Sequence, residues 1–104
     1  MTAMKLRRIP WKGEEDPGEC ALRSRLEAEG FEVHSWSDPA DRIYGEHHHE
    51  CDETLWMVRG SMLFSVKGRD YRLGPGDRLQ LPANIAHRAV AGPAGATYLI
   101  GQRR

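Results

Sequence analysis

The chain is poor in the features that mark several large protein classes. Two cysteines, Cys20 and Cys51, in 104 residues are too few for a disulfide scaffold and point to a reduced, cytoplasmic setting. No apolar run approaches the ~20 residues needed to span a bilayer, so no membrane partner is expected. Residues Met1 to Arg8 carry positive charge without a following apolar stretch, which argues against a secretory signal. Fifteen basic and fifteen acidic side chains cancel, and a net charge of zero argues against a general nucleic-acid binder. The basic ends, Lys5-Leu6-Arg7-Arg8 and Arg103-Arg104, read as solvated tails. Repeats and low-complexity tracts are absent too. With 39% hydrophobic and 29% charged residues, one compact globular domain remains.

The first 30 residues read as an arm and a helix packed on the rest of the domain. Ile9 and Trp11 are candidates to pin the arm. Asp16-Pro17-Gly18-Glu19 is a helix-start signal, with Asp16 as the expected cap and Glu19 as its reciprocal partner. Leu22 and Leu26 make a narrow apolar stripe, Glu19/Arg23, Arg23/Glu27 and Arg25/Glu29 are spaced to pair, and Gly30 ends the helix.

From residue 31 to 104 the pattern is of short strands cut by turn residues. We expect strands at Phe31–Trp36, Arg42–His49, Glu53–Arg59, Ser61–Val66, Tyr71–Leu73, Arg78–Leu81, His87–Ala91 and Ala96–Ile100. Ser37-Asp38-Pro39-Ala40-Asp41, Gly60, Lys67-Gly68-Arg69-Asp70, Gly74-Pro75-Gly76-Asp77, Pro82-Ala83-Asn84 and Gly92-Pro93-Ala94-Gly95 separate them. The fold class is therefore all-β, an antiparallel sandwich or barrel. Leu55-Trp56-Met57-Val58 is apolar on both faces, which requires cover from the helix and arm or from a second subunit in a homodimer.

The densest set of potential ligands is His47-His48-His49-Glu50-Cys51-Asp52-Glu53. Strand alternation puts His47 and His49 on one face and turns His48 away; Cys51 and Glu53 share the parity of His47. On its own such a tract reads as solvated surface. His87, after a turn-defined strand, would on its own read as structural. Together they supply three nitrogens and one oxygen, a donor set suited to one divalent transition metal (Fe, Mn, Ni, Zn or Cu). His34 stands apart from both and reads as a surface residue. Tyr44, Cys51, Met57, Phe64, Tyr71 and Tyr98 are candidates to line a pocket, with core packing the competing role.

These spacings resemble the cupin superfamily over residues 31–100. Its first motif, a glycine, two histidines one residue apart, a glutamate and a later glycine, is matched by His47, His49, Glu53 and Gly60. Its second, glycine, proline, glycine and histidine, is matched by Gly76, Pro82, Asn84 and His87. Asp41 stands in place of the leading glycine, Asn84 in place of the glycine after Pro82, and Ala91 in place of a common asparagine; none is a ligand position. The resemblance implies a small double-stranded β-helix (jelly-roll) barrel with metal on His47, His49, Glu53 and His87. It implies a small-molecule partner, and family members include dioxygenases, isomerases, decarboxylases, sugar-binding modules and storage proteins. Three functions stay open: binding of a small oxygen-bearing ligand, metal-dependent oxygenase or isomerase catalysis, and a structural or sensor role. A single helix outside the barrel does not make a helix-turn-helix.

Overall fold

The computed structural model describes residues 3–103. Met1, Thr2 and Arg104, the outermost residues of the two tails, lie outside that range. The elements are β1 (Arg7–Ile9), α1 (Glu19–Ala28), β2 (Glu32–Asp38), β3 (Ile43–His47), β4 (Asp52–Val66), β5 (Arg69–Leu73), β6 (Arg78–Leu81) and β7 (His87–Arg103). The strands form an antiparallel sheet in the order β1-β6-β4-β7-β2, with β3 added on β7 and β5 on β4. The strands close into an all-β antiparallel barrel, with one helix among the described residues.

Two pairs of expected strands prove to be single bent ones. Glu53–Arg59 and Ser61–Val66 are both in β4, and His87–Ala91 and Ala96–Ile100 are both in β7. β4 and β7 run alongside each other from Asp52↔Arg103 to Val66↔His87, with the register interrupted around Gly60. Gly60 and Gly95 both have positive φ, and a Cβ on Gly60 would lie 2.1 Å from the Gly95 carbonyl oxygen. Two glycines facing each other let the paired strands bend without parting.

The helix starts later than its sequence signal suggests. Gly18, extended at φ −86°, ψ 129°, is the cap, and the exposed Asp16 contributes no capping bond. The Leu22 N–H donates to the Gly18 carbonyl, while the Glu19 carboxylate accepts from Ser35 Oγ on β2. Arg23 also reaches β2, donating to Ser35 Oγ and to the Val33 carbonyl. The C-terminus follows expectation: Gly30 takes φ +92°, Gly30 N–H donates to Glu27 and Phe31 N–H to Leu26, a Schellman closure.

Alternation along β4 divides the core in two. Leu55 and Met57 point into the barrel with Met62, Phe64, Leu79 and Leu81. Trp56 and Val58 point the other way, onto Leu22, Leu26, Phe31 and Leu99, with Met4 and Trp11 of the arm at the margin. The helix and arm therefore cover the second apolar face, and the apolarity of Leu55–Val58 calls for no second subunit. A buried Arg78 crosses this layer. It donates two hydrogen bonds to Glu29 and one to Thr54 Oγ1, 4.9 Å from the Trp56 ring and 5.8 Å from the Phe31 ring.

The two departures from the family's glycines are both left-handed. Asp41 has φ +62° and Asn84 φ +64°. Asp and Asn enter this region more readily than other side chains, so each supplies the turn a glycine would make. The Asn84 N–H also donates to the His49 carbonyl at 2.7 Å, tying this turn to the histidine loop. Asn84→Ala is expected to cost about 1 kcal/mol, and Asn84→Gly to be near neutral, in chemical unfolding. Equal stability of the alanine variant would show that the turn carries no such strain.

Candidate metal centre

His47, His49 and His87 converge from three places. His47 ends β3, and its register partner is His87, the first residue of β7. His49 lies just beyond β3, in a loop with no strand structure. One nitrogen from each ring lies within 4.8 Å of the others. A shared ion with bonds of about 2.1 Å would hold such nitrogens no more than about 4.2 Å apart, so a small side-chain adjustment brings the three rings to the spacing one ion needs. His47 Nδ1 lies 2.7 Å from the Gly45 carbonyl and His87 Nδ1 lies 3.0 Å from that of Ile85. A carbonyl only accepts, so both Nδ1 atoms carry the proton and both Nε2 lone pairs stay free for a ligand role. Burial, the largest influence, holds the His87 imidazole below its usual pKa, with His47 and His49 acting in the same direction. His87 is therefore a neutral, available donor near pH 7.

Glu53 stands beside the trio. Its Oε2 is 3.6 Å from His49 Nδ1 and accepts from Gln102 Nε2 at 2.8 Å, with the side chain only 6% exposed. No Lys or Arg is among the residues lining this cavity. A buried carboxylate with one neutral donor is costly unless a cation joins it, and a divalent ion on the histidines would be that cation. The residues present therefore fit a metal. His48 is exposed, and His34, also exposed, faces Glu32 at 3.3 Å.

The cavity occupies about 260 Å³. Tyr44, Phe64 and Tyr98 line it, as do Leu55, Met62, Ala89 and Ile100. Three expected lining residues do not. Met57 is wholly buried in the barrel core, and Tyr71 packs at the edge of that core. Cys51 faces a separate surface depression beside Gly30, Glu32 and Arg103. The chain bends at Glu50 and Cys51 before β4 begins, so strand parity does not carry across from His49.

Trp36, Asp38 and Gln102 also belong to this neighbourhood, although their sequence context does not mark them. Gln102 continues the Tyr98, Ile100 alternation, a signal hidden by the expectation that the last strand ends at Ile100. Asp38 reads as a turn residue, yet it is the last residue of β2 and is buried.

Residues 36–99, more than half of the chain, match the cupin domain, and the chain belongs to that family. Among characterised relatives, acireductone dioxygenase of Bacillus subtilis (strain 168) is 43% identical over 47 residues, 40% of this chain. Quercetin 2,3-dioxygenase of the same strain is 31% identical over 67 residues, 64% of this chain. These matches span only 26% and 20% of the relatives' own lengths. Among solved structures, KdgF from Halomonas sp. is similar at TM-score 0.60 and 27% identity, over 71% of this chain and 70% of that one. DMSP lyase DddQ from Ruegeria pomeroyi DSS-3 covers 99% of this chain and 77% of its own at TM-score 0.64; its 16% identity speaks to the fold alone.

Proposed function

We propose that this cupin holds one divalent transition metal on His47, His49 and His87, with Glu53 as the fourth ligand, and binds a small oxygen-bearing molecule beside it. The observation that carries this reading is the buried Glu53 carboxylate beside three converging imidazoles, in a cavity whose lining includes no cationic side chain. Backbone carbonyls at Gly45 and Ile85 orient two of the rings. Gln102 orients Glu53. Leu55, Met62, Phe64 and Ile100 make the walls apolar, which keeps bulk water from competing with a bound ligand. A bound ion supplies Lewis acidity and, where it is iron, the capacity for dioxygen chemistry.

A dioxygenase is the second reading, favoured by the likeness to acireductone and quercetin dioxygenases. Elemental analysis of tag-free protein should find about one metal per chain, and oxygen consumption with an acireductone or with quercetin should separate the two readings. Absence of metal, with no uptake on titration, would remove both.

A further inference from the structure

A second polar cluster lies against the same cavity, built around Asp38. This carboxylate is 6% exposed and takes three donors: Trp36 Nε1 at 3.0 Å and the Tyr44 hydroxyl on Oδ1, and the Tyr98 hydroxyl at 2.6 Å on Oδ2. Trp36, Tyr44 and Tyr98 all line the cavity that contains the histidines. The Arg42 guanidinium lies 4.9 Å from the centre of the Tyr44 ring.

The direction of these bonds determines what the cluster offers a ligand. An ionised carboxylate only accepts, so both hydroxyl protons point at Asp38. Each phenol oxygen is then left with lone pairs alone. Trp36 Nε1, 3.2 Å from the Tyr44 oxygen, partly engages one of them. The Tyr44 hydroxyl is a close neighbour of the Tyr98 oxygen but gives its own proton to Asp38, so no donor among the described residues occupies the Tyr98 lone pairs. Burial, followed by the bond to Asp38, raises the Tyr98 hydroxyl well above its usual pKa, so it remains a donor to Asp38 throughout the working range.

We propose that Asp38 is a specificity-determining positioning residue: it locks Tyr44 and Tyr98 as hydrogen-bond acceptors, so the cavity selects ligands bearing a hydroxyl or N–H away from their metal-binding end. The inference rests on the metal-site reading and adds the ligand class to it. A cavity of about 260 Å³ matches the liquid volume of roughly nine waters, which limits the ligand to a small molecule with a short spacer between its two polar ends. A ligand with a methyl or a carboxylate at the far end would leave the phenol oxygens unpaired or repelled.

The test uses paired alkylhydroxamates, chelators of divalent metals, with spacers of two to five carbons ending in a hydroxyl or in a methyl. Each is titrated by calorimetry into the Co(II)-loaded protein. At one spacer length the hydroxyl probe should bind about tenfold tighter than its methyl partner. Tyr98→Phe should reduce that ratio to near one while Co(II) uptake stays intact. Asp38→Asn keeps the shape but adds an N–H that needs an acceptor, so it should turn one hydroxyl toward the cavity as a donor and improve binding of the acceptor-only methyl ether of the same probe. Tyr98→Phe decides the matter if Asp38→Asn does not fold. Equal binding of hydroxyl and methyl probes at every length, or a preference that survives Tyr98→Phe, overturns the inference and leaves the metal site standing. Failure of the unaltered protein to take up Co(II) overturns both.

Discussion

His87→Ala is expected to abolish measurable uptake of Zn(II) or Co(II) at micromolar concentrations. His49→Ala should do the same, and His48→Ala should leave uptake unchanged. Losing a partner that merely orients a ligand costs about 10–100-fold in metal affinity, and losing the ligand itself must cost more. The contrast arises from position: His49 and His87 belong to the converging trio, while His48 points to solvent. Competition against a chromogenic chelator, with tag-free protein, measures all three. Equal loss in the His48 variant would mean that the tract binds metal as an exposed cluster rather than as a cavity site.

Acid should release the metal. Protons compete for imidazole nitrogens, so affinity falls as pH drops through about 6.5. The metal-free protein should weaken in the same direction. His87 has a lower pKa folded than unfolded, so it contributes stability above about 6.5 that declines with falling pH until its own folded value is reached.

Arg78→Ala carries the second large expectation, a loss of about 2–3 kcal/mol, equivalent to roughly 10–20 °C in Tm for a domain of this size. The guanidinium is buried, makes three hydrogen bonds and sits near two aromatic rings. Its removal frees Glu29 and Thr54 from their partner and opens space under the helix. Because Glu29 is partly exposed, the loss stays below that of a fully buried pair. The hydrogen bond from Arg78, the largest influence, holds the Glu29 carboxyl below its usual range despite partial burial. That contribution is present above the unfolded carboxyl value of about 4.5 and fades as pH falls through the lower folded value. The gap between wild type and variant should therefore narrow in acid, as tracked by urea unfolding at pH 7 and pH 3. A gap that stays constant would place the effect in packing alone. Arg78→Met, which retains apolar bulk between the rings, should recover part of the loss.

The sequence by itself determined the local geometry and the spacing of the ligand set. Gly30, Gly60, Gly76 and Asn84 take positive φ because that freedom belongs to the residue itself, whatever surrounds it. The histidines are legible for a similar reason: few residue types offer an imidazole nitrogen, and the i, i+2 pair still converges although His49 falls just past the end of β3. Only tertiary structure decided whether a glycine ends a strand or bends it. Gly60 and Gly95 bend β4 and β7 because they face each other, a fact spread over 35 positions of sequence.

Tertiary structure also decided the residues that support the site. Asp38 is a turn residue until Tyr98, 60 positions later, points its hydroxyl at it. Gln102 and Glu53 are 49 apart, as are Arg78 and Glu29. Such residues carry no local signature, because a buried polar group is defined by its partner rather than its neighbours. The four expected ligands could be proposed from spacing. The groups that orient Glu53, and the Asp38 cluster on the cavity wall, emerged only when the strands closed into a barrel.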